Sequence, residues 1–172
     1  LRGVFINGDK LVVFEEEFNY YETYESFSAT KSFAPYQMPR TFIRVFDVSN
    51  KANPVSTGNV SLDGWYFDSR MIGNYVYAVI NQPIFYENDT EVVLPKIYSD
   101  NMVKEVPASQ IYYANVTDYS YAYTTIVAVN VQNDAQEPTV VPFLLGTTSN
   151  MYVSLSNIYI TFPRCVYMTF PG

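Results

Sequence analysis

Histidine is absent from the 172 residues, and cysteine occurs once, as Cys165. Without histidine, the chain cannot build an imidazole acid–base catalyst, a serine–histidine triad or a histidine metal ligand from its own residues. Cys165 has no second cysteine with which to form a disulfide, and it lies in an apolar run, which predicts a buried, inert thiol. These two scarcities exclude a large share of enzyme chemistry.

Long apolar runs and positive charge are also scarce. No run of 18 apolar residues occurs, and the first residues do not have the pattern of a signal peptide, so no membrane span is expected in this segment. Ten Lys and Arg are scattered among 17 Asp and Glu, which gives a net charge of −7. An acidic chain without a basic patch repels a phosphate backbone, so we expect no nucleic-acid binding.

Aromatic residues, in contrast, are abundant. They make up 17% of the chain, and 17 of its residues are Tyr and 12 are Phe. Aromatic side chains fit the half-buried surface of a pleated sheet better than that of a helix, so the composition favours strands. The chain starts without Met, and both of its ends lie beside apolar runs, so we expect it to be a segment of a longer protein.

Two segments of the chain repeat one pattern at an offset of 83 residues. The run 43–48 with Asn50, Ala52 and Leu62 matches the run 126–131 with Asn133, Ala135 and Leu145. Such self-similarity over a long period is typical of repeat architectures. In each copy the connector after the run ends with a Pro, Pro54 or Pro138, at the head of the following strand, where no ladder hydrogen bond is lost.

A hairpin signal occurs three times, twice at the 83-residue spacing and once in a shorter upstream copy. Gly8-Asp9, Gly73-Asn74 and Ser156-Asn157 each separate two extended apolar runs, which predicts a two-residue turn between antiparallel strands. Four short antiparallel strands per unit, with turns placed alike, are typical of a propeller blade. The sequence therefore predicts an all-β fold, a partial β-propeller of about two and a half blades, with long insertions between the second and third strands.

The predicted blades divide the chain as a single partial β-propeller domain over residues 1–172. Blade 1 covers about 1–62, blade 2 about 65–146, and blade 3 begins at about 150–172. The insertions cover 18–40 and 81–123, and loops of this length are usually functional or disordered. Because a part-propeller exposes strand edges at its two ends, we expect the remaining blades to come from the parent chain or another subunit.

Eleven of the 17 tyrosines fall in the two insertions. Both insertions occupy the same topological position, so we expect them to lie together on one face of the disc. Tyr combines a large apolar ring with a polar tip, which suits a recognition surface but equally suits packing of the loops onto the disc. The candidate surface for a partner or ligand consists of Tyr20, Tyr21, Tyr24, Tyr112, Tyr113 and Tyr119.

Other candidate sites are weaker. Three glycosylation sequons begin at Asn59, Asn88 and Asn115, of which Asn59 is expected inside a strand. The run 15–17 makes the start of the first insertion acidic; calcium binding there is conceivable, but without the Asp/Asn ladder of a calcium loop a solvated acidic rim is preferred, and no cofactor is assigned. Asp63, Asp68 and Glu91 lie near strand ends or in the insertion, but nothing pairs them as a glycosidase needs.

Two stretches resemble a known family. The segments 63–77 and 143–155 are similar to secreted archaeal proteins that carry a C-terminal β-propeller domain distantly related to the WD40 repeats. The resemblance covers about 1–162. It implies an extracellular or cell-surface location, a larger propeller in the parent protein and no established activity, and it transfers no catalytic residue.

Three functions remain open on this basis. The first is a non-enzymatic surface module that mediates protein or cell-envelope contacts through the Tyr-rich face. The second is a carbohydrate-binding module whose tyrosines stack on sugar rings. The third, disfavoured, is a hydrolase or lyase of an envelope polymer, which would require two converging carboxylates in a cleft.

Overall fold

The computed structural model describes residues 1–18, 39–84, 86–87, 91–99, 102–115 and 121–163. The strands, in chain order, are β1 Gly3–Asn7, β2 Lys10–Phe18, β3 Pro39–Asp47, β4 Val55–Asp63, β5 Trp65–Ile72, β6 Tyr75–Pro83, β7 Tyr86–Glu87, β8 Glu91–Val92, β9 Lys96–Ser99, β10 Met102–Glu105, β11 Tyr112–Tyr113, β12 Tyr121–Asn130, β13 Thr139–Gly146, β14 Asn150–Val153 and β15 Ile158–Thr161. Within these residues the one helical element is a 3₁₀ turn at Ala108–Gln110, and no helix there has the length and hydrophobicity needed to cross a membrane. The predicted all-β class is confirmed.

Two antiparallel four-stranded meanders form the body of the protein. The first sheet has the order β1-β2-β3-β4 and the second has the order β5-β6-β12-β13, as predicted for blades 1 and 2. Strands β14 and β15 form a separate hairpin that begins the next unit. Each sheet gains further strands at its outer edge, which the sequence did not predict: β9 and β10 extend blade 1, and β11 extends blade 2.

The hydrophobic core lies between the facing surfaces of blades 1 and 2. Val12, Phe14 and Ile43 of blade 1 and Val76 and Val127 of blade 2 are all almost completely buried in one cluster. Their side chains alternate along each strand with outward-facing ones, as a sheet covered on this face requires. The two blades therefore pack face to face, and each covers one face of the other's sheet. Strand edges without a partner among the described residues are also present, at β1 and β10 of blade 1.

The connectors between the third and fourth strands confirm the repeat at the level of single hydrogen bonds. In blade 1, Asp47 Oδ1 accepts from Ser49 N at 2.9 Å and Asn50 Oδ1 accepts from Ala52 N at 3.2 Å. The same two bonds recur 83 residues later. In this turn the side chains of Asp and Asn accept hydrogen bonds from the backbone N–H two residues further along the chain. Because these bonds are local, similar sequences adopt similar turn geometry. The hydrogen bonds from Ser49 also hold the pKa of Asp47 below its ordinary value.

Two of the three predicted hairpin turns have the expected form. Gly8 and Gly73 adopt φ values of 59° and 56°, which suit a two-residue turn between twisted strands. The third turn is different, because Ser156 does not share the freedom of glycine at positive φ. Here β14 and β15 are joined by the four residues 154–157, and the Ser154 hydroxyl accepts from the backbone of Asn157 at 3.0 Å.

The central strands extend further into the predicted insertions than hydrophobicity indicated. β6 continues to Pro83 and β12 begins at Tyr121, so the second interruption is shorter than 81–123. Asn81 and Gln82 are polar but buried within the extension of β6, as is Thr124 beside them on β12. Because their polar atoms are satisfied inside the sheet in all but one case, the Gln82 amide nitrogen, polarity here does not mark the end of a strand.

Candidate interaction surface

One of the polar links from blade 1 to blade 2 is built around Glu16. Its side chain is only 3% exposed, and its Oε1 accepts a hydrogen bond from the backbone N–H of Tyr66, on the first strand of blade 2, at 2.6 Å. Its Oε2 pairs with the Arg2 guanidinium. Glu16 is thus an interblade link. The expectation of a solvated acidic rim is wrong for this residue, because its carboxylate is buried and binds the backbone of blade 2.

Blade 2 repeats this link with an amide. Glu16 is the seventh residue of β2 and Asn81 is the seventh residue of β6. Asn81 Oδ1 accepts from the Thr124 hydroxyl at 2.9 Å and from the backbone N–H of Thr148, two residues before β14, at 3.2 Å. The same strand position in each blade therefore binds the backbone at or just before the first strand of the next unit.

A glycine allows the two blades to meet at this point. Gly64 joins β4 to β5 at φ +123°, and a Cβ built there would lie 2.6 Å from the backbone oxygen of Asn81. Its carbonyl accepts from the buried Thr41 hydroxyl at 2.9 Å. In blade 2, Thr124 makes the corresponding contact with the carbonyl of Gly146 at 3.2 Å.

The second insertion runs along the outer rim of both blades. Strand β9 pairs antiparallel with β4, through Val60 opposite Ser99 and Leu62 opposite Ile97, so blade 2 supplies strands to blade 1. Strand β10 then completes the six-stranded sheet. The described part of this insertion therefore forms sheet extensions, where the sequence had indicated a loop on one face of the disc.

A mixed cluster attaches this insertion to blade 1. The Arg40 guanidinium lies 3.7 Å above the centre of the Tyr98 ring and donates to Asp63 Oδ1 at 3.0 Å, while the Tyr98 hydroxyl donates to Asp63 Oδ2 at 2.8 Å. A cation above an aromatic face and a charge-assisted hydrogen bond each stabilise such a contact. Asp63, considered above as a catalytic acid, is engaged in this structural role.

The remaining acids near the predicted sites are ion-paired in a similar way. Arg44 bridges Glu15 and Glu17, with both N–O distances at 2.9 Å, and Arg70 binds Asp68 at 2.7 Å. The side chain of Glu91 lies outside the described residues. Among the residues that the structure describes, no group of three or more His, Cys, Asp or Glu is placed to hold a metal ion.

Two predicted surface tyrosines lie at the outer edge of blade 2. Strand β11 pairs in parallel with β13, so that Tyr112 lies opposite Phe143 and Tyr113 opposite Leu144. Tyr112 is 63% exposed and Tyr113 is 74% exposed. The Tyr112 ring contacts the Phe143 ring at a centroid distance of 5.5 Å, and both hydroxyl-bearing rings are presented to solvent. The pairing stops at Phe143 because the preceding Pro142 has no N–H to donate.

The other predicted residues divide into two groups. Asn59, within β4, and Asn115, after β11, are exposed, as a glycosylation site requires. Outside the described residues lie Tyr20, Tyr21, Tyr24, Tyr119, Asn88 and Cys165. The sequence reasoning missed Glu16, Arg40 and Tyr98, whose positions could have been noticed only by pairing strands across blades.

An apolar cleft separates the outer parts of the two blades. It has a volume of about 420 Å³, and its walls include Ile97 and Met102 from blade 1 and Pro138 and Val140 from blade 2. The segment 106–111 crosses from one blade to the other, and Val106 and Gln110 close the cleft on that side. The cleft exists because blade 1 carries two added strands beyond the point where the facing sheets are in contact.

No curated protein and no solved structure shows significant similarity to the chain. A family model described as a beta propeller domain matches residues 1–169, nearly the whole chain. The blade-like meanders, their face-to-face packing and the repeated links agree with that match. The chain therefore belongs to the beta propeller domain family.

Proposed function

We propose that this chain is a non-enzymatic propeller module of the cell surface or extracellular space, which binds a protein or cell-envelope partner through the tyrosines of its rim. The observation that carries the proposal is the pair Tyr112 and Tyr113, two adjacent aromatic residues exposed to solvent on a strand that pairs with β13. Rigid aromatic rings are effective contact residues, because they bring large amphipathic area at little entropic cost. The acids considered for catalysis are, where described, all engaged in ion pairs.

The experiment measures binding of the purified protein to isolated cell envelopes. We expect the double variant Tyr112→Ala, Tyr113→Ala to lose binding. The matched control is Tyr152→Ala, Tyr159→Ala, a second exposed tyrosine pair on the β14–β15 hairpin, which should bind like the unmodified protein. No binding by the unmodified protein, or equal loss in both double variants, contradicts the proposal.

A carbohydrate-binding module is the alternative that the same exposed rings support. Aromatic faces stack on sugar rings as well as on protein surfaces. Protease treatment of the envelopes abolishes binding if the partner is a protein, whereas periodate oxidation abolishes it if the partner is a glycan. The two treatments therefore separate the two functions on the same preparation.

We also propose that a further blade, from the parent chain or another subunit, covers the outer face of blade 1. Val4 and Ile6 are exposed on that face and Phe42 and Phe46 are partly buried there, at positions where the corresponding face of blade 2 is buried against blade 1. The covering blade can be tested through the glycosylation of Asn59. Asn59 lies opposite Arg44 on the same face, so a glycan at Asn59 and a covering blade exclude each other.

Glycans are accordingly proposed at Asn88 and Asn115 before Asn59. Intact mass spectrometry of the protein from its native source, compared with the variant Asn115→Gln, measures whether Asn115 carries one. A glycan found on Asn59 would contradict the covering blade. Calcium binding at the acidic start of the first insertion stays a weaker proposal, tested by calorimetric titration with Ca²⁺.

A further inference from the structure

Strand β10 presents an unused edge beside the apolar cleft. It is the last strand of the six-stranded sheet, and in the part of the chain that the structure describes nothing pairs with its outer side. All four residues of β10 are exposed, among them Met102 at 62% and Val103 at 63%. A sheet edge with apolar side chains in water favours addition of another strand.

At this rim, strands of the second insertion already add to the outer edges of both sheets. β9 adds to the edge of β4, and β11 adds to the edge of β13. Along β13, addition stops where Pro142 removes a backbone donor, whereas β10 has no proline. The edge of β10 therefore continues an interface that the fold has established twice, and its backbone groups specify an extended peptide as the occupant.

The cleft supplies a place for a side chain of that peptide. Met102 and Lys104 lie on the surface of β10 that faces blade 2, in register with Ser99 and Ile97 of β9. Across the cleft stand Pro138 and Val140. A cleft of about 420 Å³ with Ile97, Val106 and Val140 in its walls accommodates an aliphatic side chain.

The net charge of the chain favours basic flanks on the peptide. At the mouth of the cleft the local charges are paired, Lys104 with Glu137 at 3.9 Å and Lys96 with Glu105 at 3.5 Å. The whole chain carries a net charge of −7. A segment with Lys or Arg beside its aliphatic anchor is therefore attracted in the encounter.

We propose that β10 and the adjacent cleft bind an extended, basic-flanked peptide segment of a partner protein, which adds as a strand to β10 and inserts an aliphatic side chain between the blades. Main-chain hydrogen bonds provide the affinity in this mode of recognition, and the side-chain pocket provides the selectivity. The inference rests on the proposed function as an interaction module, and it places part of the contact away from Tyr112 and Tyr113.

The test selects binders from a displayed library of random linear peptides and measures the dissociation constant of the best one, as a synthetic peptide, by fluorescence anisotropy. We expect Met102→Lys to weaken binding about tenfold or more, since it removes an apolar contact and repels basic flanks. The control Leu155→Lys introduces the same charge at an aliphatic residue that is 93% exposed, between β14 and β15, and should have no effect.

Amide hydrogen exchange of the same complex tests the strand addition directly. We expect the bound peptide to slow exchange within residues 102–105. Failure to select any peptide, unchanged affinity in Met102→Lys, or protection elsewhere overturns the inference. Envelope binding that persists in Met102→Lys would leave the proposed function standing, and absence of envelope binding by the unmodified protein would overturn that function alone.

Discussion

Polar residues at the blade junction contribute to the packing of the two sheets. Glu16 and Glu17 are neighbours in the sequence, yet Glu16 is buried between the sheets and Glu17 pairs with Arg44 in solvent. The sequence shows only three consecutive acids here. Their different roles depend on which side of β2 faces blade 2, which alternation along the strand determines only once the blades are paired.

Glu16→Ala is expected to lower the free energy of unfolding by about 1–3 kcal/mol, because it leaves the Tyr66 N–H and the Arg2 guanidinium without their acceptor. Urea denaturation followed by circular dichroism measures the change. The neighbouring variant Glu17→Ala serves as control and should fall within about 0.5 kcal/mol of the unmodified protein, as expected for an exposed ion pair. Equal effects in the two variants would contradict the role of Glu16 as an interblade link.

Gly64→Ala is expected to destabilise the protein by about 1–3 kcal/mol or more, since the backbone adopts a positive φ and the new Cβ meets a backbone oxygen. The comparison is Gly58→Ala in β4, where a Cβ finds only ordinary contacts with Val45 at 3.6 Å and φ is not positive. Thermal unfolding of both variants measures the difference. A Gly64→Ala protein as stable as Gly58→Ala would show that the junction can relax.

Protonation of Tyr66 illustrates how burial acts on one group at this junction. Burial raises the pKa of its phenol, despite the opposing hydrogen bond with Ser69. Because the folded pKa lies above the unfolded one, the stabilisation from the neutral phenol is present below pH 10 and is lost as pH rises through the folded pKa.

At the scale of strands, the sequence predicted the main meanders well. Gly8 and Gly73 mark their hairpins, and Asn50 and Asn133 mark their connectors, because these turns are defined by local chemistry. Strands β7 to β11 were missed. They are two to four residues long, have no turn signals of their own, and owe their conformation to partners in distant parts of the chain.

The attachment of β9 to blade 1 provides a test at this scale. Tyr98→Phe removes the hydroxyl that donates to Asp63 but keeps the ring under Arg40, so we expect a loss of about 0.5–1.5 kcal/mol in unfolding free energy. Tyr98→Ala, which also removes the ring, should lose more. Exchange of the amides in residues 96–99 should accelerate in step with these losses, and unchanged exchange would show that the cluster does not hold the strand.

The whole molecule is held together by one core shared between two sheets. The main hydrophobic cluster takes residues from both sheets, so we expect the two sheets to unfold together. Prediction from sequence reached this architecture through the repeat, but it could not give the packing of the blades. Phe14 and Tyr66, whose rings lie 5.4 Å apart, belong to different blades and meet only in the folded protein.

Phe14→Ala in blade 1 is expected to cost about 3–5 kcal/mol, as for other large core residues. Native-state hydrogen exchange should show the same loss in blade 2, for example at Val76 and Val127, as in blade 1. Tyr152→Ala on the exposed hairpin is the control and should leave both sheets unchanged. Destabilisation confined to blade 1 would mean that the sheets unfold independently.

The pairing of β9 with β4 also bears on how such a protein can be divided or extended. Val60 of blade 1 pairs with Ser99, which follows β6 of blade 2 in the sequence. The boundaries of the sequence repeat therefore differ from the boundaries of the sheets. A gene cut between the two units would deliver a first blade without its outer strands. Shuffling or duplication of single blades is therefore constrained, and the pair of blades is the smallest unit that can be inherited intact.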